Sequence, residues 1–581
     1  MESASLPICP PKVKPASLPA PPARPLPNNP STSEWKRWRI DHILPKFFPM
    51  STLLNPEEIR RAVRFEGGLS RRLFLSHAAA LASIPVLGQI AAPALSTRPK
   101  FSHDPFSLGV ASGDPDSTSV VLWTRLAPRP LEPDGGMLPD PIELTWELAG
   151  DESMSRVVKS GKLRVNSLLN HSAHILVEGL QPDRWYWYRF RAGDATSPIG
   201  RTRTLPSPES SPDRLRFAFA SCQHFEAGLF TAYERMAQDD LDLVFHLGDY
   251  IYEAAARETG VRRHLAPRLL TVDDYRIRHS QYRSDPMLHG MHARCPWFVT
   301  WDDHETENNY ATDISQFEGV SPAEFLIQRT AAYQVYYEMM PLRPRSIPRG
   351  PDMLLYRKAS FGNLAEFFVL DTRQYRTDQP NHDQSSNINE AALDPKNTLL
   401  GPAQRTWLQD GLRSSQGQWN VLAQQVMMAM ADITPGPDTK YSMDQWPSAA
   451  TERMDLVRFL SRRRIKNPIV LTGDIHSNWV NDLRVDDRKP ETPIVATEFV
   501  GTSISSGGNG LDKPAKLSDL LSENPGVKFH NQQRGYVRCS VNRSTWTSDY
   551  IVMDQVTKPG GKAEVRCSWI VESGKPGATP A

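Results

Sequence analysis

FHLGDYIYE, residues 245–253, joins an apolar strand directly to a turn that carries acidic and phenolic side chains. The pattern recurs twice further along the chain. Residues 300–305 read TWDDHE after an apolar run at 297–301, and residues 472–479 read TGDIHSNW after another at 469–472. Polar residues at strand ends are typical of open α/β sheets, which place their sites at that edge. We therefore expect three strand ends to build one pocket.

The side chains on these turns point to metal chemistry. Asp249, Asp303, Asp474 and His476 would share the pocket, and the turn FASCQ adds Cys222 at the same edge. Carboxylates at that density repel one another strongly unless multivalent cations lie between them. A lone Gly-Asp is often only a turn, but several such turns that each follow a strand predict a metal site.

The region from 213 to 555 has the layout of an α/β domain. It follows a Pro/Ser-rich linker at 206–213, and apolar strands then alternate with helical stretches. We expect strands at 215–220, 243–247, 297–301, 365–370, 419–423 and 469–472, and helices at 229–238, 322–340, 404–412 and 451–463.

The region from 101 to 205 has shorter segments. Strand-like runs at 119–125, 142–148, 174–178 and 185–191 are separated by turn residues, which predicts a small all-β domain of the fibronectin-III or Ig-like kind. No catalytic constellation is visible in it. At the other end, residues 556–581 are expected to hold one last strand, 563–570, and a tail whose final ten residues are mobile.

The first hundred residues indicate export. Residues 1–69 form a Pro-rich extension that we expect to be disordered, and 70–94 match a twin-arginine signal peptide. The signal combines SRRLFL at 70–75, an apolar run and the small-residue site APA at 92–94. The alternative is an amphipathic helix that starts with two arginines. We expect the twin-arginine translocase as a partner and a periplasmic or extracellular location; the start is Met1 or Met50.

The composition gives no support for a nucleic-acid-binding, membrane-spanning or disulfide-rich protein. The chain has 581 residues, enough for two or more domains, and 67 basic against 66 acidic residues give no reason to expect a nucleic-acid partner. No apolar run reaches the 18 residues that predict a stable membrane span. Five cysteines are too few for a disulfide framework. Cys539 and Cys567 either pair or remain buried thiols.

The order Gly-Asp-x-x-Tyr, Asp-Asp-His-Glu, Gly-Asp-Ile-His resembles the calcineurin-like metallophosphoesterases, and among them the PhoD-type group, also called the alkaline phosphatase D family. The resemblance covers roughly 101–555 and is highly specific. Supporting segments are FSLGVASGDPDSTSVVLWTRLAP at 106–128, LDTRQYR at 370–376, FVGTSISSGGNG at 499–510 and NQQRGYVRC at 531–539. It implies a metallophosphoesterase domain with a β-sandwich core flanked by helices.

The resemblance also implies a site that holds Fe3+ with Ca2+ beside it. Asp249 would bridge the metals, and Cys222, Tyr252 and His476 would complete the iron side. The residues implied on the calcium side are Asp303 and Asp474, with Asn308 or Asn309. The donor chemistry agrees, because thiolate, phenolate and imidazole suit a transition metal whereas carboxylate and amide oxygens suit Ca2+. Alternatives are a disulfide for Cys222 and simple packing for Tyr252.

The implied reaction is hydrolysis of phosphate mono- or diesters by a metal-activated hydroxide. His304 would contact the phosphate and assist the leaving group. Arg373 is either a phosphate contact or an ordinary ion-pair partner, and Glu305 is expected to support the ligands without binding metal.

Three alternatives remain. Within the same family, the chain would act on lipid or cell-wall-polymer phosphodiesters, as a phospholipase D does. A surface binding module with an inactive metal domain would have broken motifs, but Asp249, Asp303, Asp474 and His476 are all present. A purple-acid-type phosphatase with an iron–zinc pair would need Asp and His where this chain has Cys222 and Asp474.

Overall fold

The computed structural model describes residues 99–581 except Pro435. The predicted extension at 1–69 and signal peptide at 70–94 lie outside the described residues. The chain divides into two units, 1–66 and 67–581, and all described residues belong to the second.

The described residues form 22 strands. In chain order they are β1 Val110–Gly113, β2 Val120–Arg125, β3 Ile142–Ala149, β4 Val157–Val165, β5 Ser172–Val177, β6 Trp185–Ala192, β7 Ala195–Thr196, β8 Gly200–Arg203, β9 Arg214–Ala220, β10 Leu243–His246, β11 Trp297–Val299, β12 Arg357–Phe361, β13 Ala365–Val369, β14 Trp419–Ala423, β15 Pro468–Thr472, β16 Asn478–Leu483, β17 Ala496–Val500, β18 Val527–Asn531, β19 Gly535–Asn542, β20 Thr545–Met553, β21 Ala563–Glu572 and β22 Lys575–Pro580.

Seven α-helices connect them within the described residues. They are α1 Thr231–Met236, α2 Val272–Arg283, α3 Pro286–His292, α4 Pro322–Met339, α5 Gly401–Ser414, α6 Ala450–Arg462 and α7 Leu517–Glu523.

Two large sheets pack face to face. One has ten strands in the order β22-β21-β20-β19-β9-β10-β11-β1-β2-β5, and the other has seven in the order β12-β13-β14-β15-β17-β16-β18. Their inner faces share an apolar core in which Phe217 of β9 lies edge-on to Phe245 of β10 and Phe367 of β13. The alternating side-chain directions of each strand leave the other face of each sheet for helices.

Helices cover both outer faces. Residues of α1 to α4 pack with the ten-stranded sheet, where Trp297 and Trp301 are fully buried. Residues of α5 and α6, including Leu408 and Leu456, pack with the seven-stranded sheet. The predicted β-sandwich core flanked by helices is therefore present as a helix–sheet–sheet–helix stack.

The N-terminal strands are less separate than the sequence suggests. β3, β4, β6, β7 and β8 form their own sheet, but β1, β2 and β5 extend the ten-stranded sheet, because β1 pairs in parallel with β11. One core joins the two layers, with Leu122, Leu144 and Tyr188 buried in it. The two-layer β arrangement agrees with the expected all-β region, whereas its fibronectin-III or Ig-like type stays a prediction.

The C-terminal residues correct one expectation. Residues 575–580 form β22 against β21 and are not a mobile tail. β20 separates Cys539 of β19 from Cys567 of β21, and both are free thiols; Cys539 is buried as the second alternative expects, whereas Cys567 is only partly buried. Among the described residues, no helix has the length and apolar character that crossing a bilayer requires.

Candidate metal centre

Strand ends from both sheets meet at one edge. β9, β10 and β11 are parallel neighbours, and the turns that follow them carry Cys222, Asp249 and Asp303. β15 of the other sheet delivers Asp474 and His476. Parallel strands align their carboxyl ends, so residues far apart in sequence come together at this edge.

The glycines of two Gly-Asp motifs allow their turns to pack closely against neighbouring turns. Gly248 has φ +111°, and a Cβ there would lie 2.4 Å from the Cβ of Asp302. A Cβ on Gly473 would lie 2.6 Å from Ser221 Oγ. Both distances are too short for any side chain, so glycine is required where Asp249 and Asp474 are brought towards their neighbours.

Four of the predicted ligands have left-handed backbones. Cys222, Asp249, Asp474 and His476 have φ of 59°, 56°, 64° and 52°. Such values are uncommon for residues with a Cβ, and they persist where surrounding structure imposes them, as it often does at functional sites. The shared strain indicates that the turns are shaped to aim these side chains.

We call Cys222, Asp249, Tyr252 and His476 the soft group. Ligand atoms of Cys222, Asp249 and His476 all lie within 4.8 Å of one another. The Tyr252 hydroxyl donates to Asp249 Oδ2 at 2.7 Å and lies 3.0 Å from His476 Nε2. The structure therefore brings together all four residues predicted for the iron side.

We call Asp302, Asp303 and Asp474 the acidic group. Their carboxylate oxygens also lie within 4.8 Å of one another. Asp302 was missed at the sequence level, although it directly precedes the predicted Asp303 in TWDDHE. Three carboxylates without a soft donor suit a hard cation such as Ca2+.

The two groups adjoin, and their donors fit metal ions. Asp249, Asp303 and His304 form a further set within the same 4.8 Å limit, so Asp249 lies between the groups. Asp249 Oδ1 and Asp302 Oδ2 are buried and have no hydrogen-bond partner among the described residues. Buried polar atoms are almost always paired, so orphaned carboxylate oxygens in such a cluster are what a metal site provides.

The electrostatics point the same way. Burial raises the pKa of the Cys222 thiol well above its usual value, and Asp249 raises it further. Burial also raises the pKa of Tyr252 and of Asp249, and it raises that of Asp474 to about 7, with a contribution from Asp444. Buried anions this close need added positive charge, which a multivalent cation supplies.

Arg373 is fully buried among carboxylates. Its guanidinium donates to Asp302, makes a two-pronged contact with Asp444 and lies 3.3 Å from Asp474 Oδ1. Such forked pairs have strict geometry and hold their partners in place. Of the two roles predicted for Arg373, these contacts favour the ion-pair partner over the phosphate contact.

Glu305 ties two ligand turns together. Its carboxylate accepts the backbone N–H groups of Asp249 and Asp302, at 3.2 and 2.9 Å, and that of Tyr250. A carboxylate occupied by backbone donors supports its neighbours rather than binding metal, in line with the expected supporting role.

His304 is oriented by Glu253. His304 Nδ1 lies 2.7 Å from Glu253 Oε2, and Glu253 is 3% exposed. Burial alone lowers the pKa of His304, but Glu253, Asp303 and Asp249 raise it well above its usual value. The contact occupies Nδ1 and leaves Nε2 as the nitrogen available to a substrate.

The predicted asparagine ligand finds other partners. The Asn308 side chain donates to Gln316 Oε1 at 2.7 Å through its amide nitrogen, and not through Oδ1, the atom that would bind Ca2+. Asn309 comes closer through its backbone, whose N–H donates to Asp303 Oδ2 at 2.7 Å, while its side chain donates to Asp383. The choice between Asn308 and Asn309 as the amide ligand therefore stays a prediction.

The solvent-facing side of the site is defined by partial exposure. The side chains of His304, Asp474 and His476 are 19%, 14% and 36% exposed, whereas Cys222 and Asp249 are only 1% exposed. A substrate would therefore reach the site past His304 and His476.

The family comparison agrees with this geometry. A family model described as "PhoD-like phosphatase" matches residues 217–550, and one described as "PhoD-like phosphatase, N-terminal domain" matches residues 91–206. The first alone spans more than half of the chain and contains every ligand candidate.

Two individual proteins are similar over most of their length. Alkaline phosphatase D of Bacillus subtilis (strain 168) is 47% identical over 516 residues, which cover 87% of this chain and 88% of that protein. A solved structure described as "Structure of PhoD" is 48% identical, with a TM-score of 0.81, and the match covers 83% of this chain and 93% of that one.

Proposed function

The chain belongs to the PhoD-like phosphatases, and from that membership we propose that it is an exported alkaline phosphatase and phosphodiesterase. It is a phosphoesterase of the metal-dependent kind. The proposal rests above all on the position of Asp249, where the soft group and the acidic group meet and whose buried Oδ1 has no hydrogen-bond partner in the part of the chain that the structure describes.

We propose Fe3+ for the soft group and Ca2+ for the acidic group. Cys222, Tyr252 and His476 would hold iron with Asp249, and Asp303 and Asp474 would hold calcium with Asp302. Thiolate, phenolate and imidazole favour a transition metal, and carboxylates favour calcium. When bound, the cations would neutralise charge on the ester and acidify water for its attack on phosphorus.

The side chains of the protein supply position and a proton. His304 is partly exposed, and Glu253 holds its Nδ1, so its Nε2 would donate a hydrogen bond to a phosphate oxygen or a proton to the leaving alcohol. Arg373 would separate the carboxylates of Asp302 and Asp474 and fix their positions.

The alternative within the family is a phospholipase D-like or cell-wall-polymer phosphodiesterase. Exposed apolar side chains occur on the segment that follows Glu253, among them Leu265 at 59% and Leu270 at 50%, and the Leu269 N–H of this segment donates to the Glu253 carbonyl. They fit a substrate with an apolar part, so this second candidate predicts that a lipid diester outcompetes a small monoester.

Metal removal and restoration test the proposal. The purified protein is stripped with a chelator and reloaded with Fe3+, with Ca2+ or with both, and p-nitrophenyl phosphate and bis-p-nitrophenyl phosphate report monoester and diester hydrolysis. We expect full activity only with both metals. Activity of the stripped protein, or full recovery with zinc alone, would contradict the assignment.

Export is proposed on the twin-arginine pattern of residues 70–94. Replacing Arg71 and Arg72 with lysine keeps the charge but removes the motif, so the protein should remain inside the cell. Unchanged export of this variant would refute the twin-arginine route, leaving the phosphoesterase assignment intact.

A further inference from the structure

Arg534 is a buried cation directly behind the soft group. It lies between β18 and β19 and is 4% exposed. Its Nη1 donates to the His476 carbonyl at 2.8 Å, to Ser503 Oγ at 2.6 Å and to the Ser506 carbonyl at 2.6 Å, and its Nη2 donates to the Gln532 carbonyl. One guanidinium thus fastens the turns after β15 and β17 to each other.

Both turns act on the soft group. His476 belongs to it, and its left-handed backbone is held at the carbonyl that Arg534 contacts. Ser506 Oγ lies 2.7 Å from the Tyr252 hydroxyl and donates to the Cys222 carbonyl at 2.7 Å. Displacing Arg534 would therefore move the supports of Cys222, Tyr252 and His476 at once.

Charge gives Arg534 a second role. Arginine stays protonated, and a buried charge without a counter-charge is costly. All four oxygens that Arg534 contacts belong to carbonyls or a hydroxyl, and among the ion pairs of residues 99–581 none involves Arg534. Ligands must give up their protons to bind a metal, so the thiolate and phenolate of a loaded soft group would be its counter-charges, which Arg534 approaches through Ser506.

The acidic group is built in the opposite way. Its buried arginine, Arg373, contacts the carboxylates of Asp302, Asp444 and Asp474 directly. Arg534 contacts no ligand side chain and reaches the soft group through the backbone and through Ser506. That arrangement leaves the ligand atoms free for a metal.

We propose that Arg534 is a positioning residue that sets the geometry of the soft group and supplies the positive charge that stabilises its anionic ligands. The proposal rests on the metal-dependent function above. It predicts that the metal of the soft group is held less tightly, with altered ligand bonding, when Arg534 is replaced, even though Arg534 is not itself a ligand.

The test uses protein reconstituted with ferric iron. Phenolate and thiolate ligands give ferric iron a charge-transfer absorption in the visible range, so the spectrum reports ligand bonding independently of activity. R534Q should shift this band and lose iron to a competing chelator about 10- to 100-fold more readily, the range for partners of metal ligands. R534K keeps the charge and should recover part of the loss.

Arg453 provides a matched control. It is fully buried and donates to the carbonyls of Met428, Arg484 and Val485, but it pairs with Asp487 and lies on α6. R453Q should lower thermal stability while leaving the iron spectrum unchanged. A folded R534Q with the spectrum and iron retention of the wild type would overturn the proposal.

A smaller substitution covers the case in which R534Q does not fold. S503A removes only one oxygen that holds the guanidinium, and it should weaken iron retention several-fold with a small shift of the band. Unchanged retention in S503A would count against the proposal. A wild-type protein that binds no metal and hydrolyses no ester would instead refute the proposed function, so the two failures are distinguishable.

Discussion

The soft group and the acidic group solve the same electrostatic problem in different ways. The acidic group gathers three carboxylates, and Arg373 forms an ion pair with each of them. The soft group combines a thiol, a phenol, an imidazole and one carboxylate. Its arginine, Arg534, contacts the backbone carbonyl of His476 and none of these side chains. Carboxylates suit a hard cation, whereas thiolate, phenolate and imidazole suit a transition metal, so the two groups are expected to hold different ions.

The largest effect is expected where the groups meet. Asp249 belongs to metal-ligating sets on both sides, so D249N should lose both metals and at least about 1,000-fold in kcat/KM, because metal assistance contributes several kcal/mol. Activity assays with metal analysis check this. D410N, on the exposed face of α5, is the control and should match the wild type. If D249N kept one metal fully, Asp249 would not be shared.

The next effect separates chemistry from metal binding. H304A should lower kcat by about 100-fold or more through loss of a proton donor, with metal content near normal. E253Q should give a smaller loss, since it removes only the carboxylate that holds His304 Nδ1. Kinetics and metal analysis of both variants check this, and loss of metal in H304A would contradict the role given to His304.

Two substitutions, one in each group, test whether the soft group and the acidic group bind their metals independently. C222S should lose about 100-fold or more in affinity for iron, beyond the range for partners of ligands, but keep calcium, and D303N should do the reverse. Chelator competition followed by elemental analysis measures both. Equal loss of both metals in the two variants would show that the groups act as one site.

The smallest effect concerns the helices behind each sheet. His279 of α2 is fully buried, neither of its ring nitrogens has a hydrogen-bond partner within the described residues, and burial lowers its pKa to about 3. Helices α5 and α6 contain no histidine. Below about pH 6.5 this histidine binds a proton in the unfolded chain but not in the folded chain, so the free energy of unfolding decreases as the pH is lowered. One such histidine accounts for up to ~1.4 kcal/mol per pH unit.

Denaturant unfolding at about pH 6.5 and 5.5 measures this slope. H279L should reduce the slope, and H103L, at an exposed position, should not. A slope unchanged in H279L would mean that His279 already binds a proton in the folded state.

Local patterns were enough to predict much of the fold. Apolar runs bounded by turns gave strands such as Trp419–Ala423, and the Ser321–Glu324 capping box marks the start of α4 where a helix was expected. α2 was missed because its buried face carries Tyr275, Arg278 and His279 instead of an apolar stripe. The pairing of β1 with β11 is a long-range contact, and no local pattern predicts it.

The site shows the same division. Residues on a turn directly after a strand were found, because the strand end fixes their place, and all four members of the soft group converge as expected. Ser506 and Arg534 were missed, since neither residue type marks chemistry and their partners lie on other strands. Whether Asn308 or Asn309 supplies an amide oxygen stays a prediction, because the Asn308 contact with Gln316 is made by its amide nitrogen.

The most direct test of the two-group account is anomalous X-ray diffraction from crystals of the metal-loaded protein, collected on both sides of the iron absorption edge. We expect one iron peak bounded by Cys222 Sγ, Tyr252 Oη and His476 Nε2, and a separate non-iron peak among Asp302, Asp303 and Asp474. Iron among the three carboxylates, or no metal beside Cys222, would contradict the account.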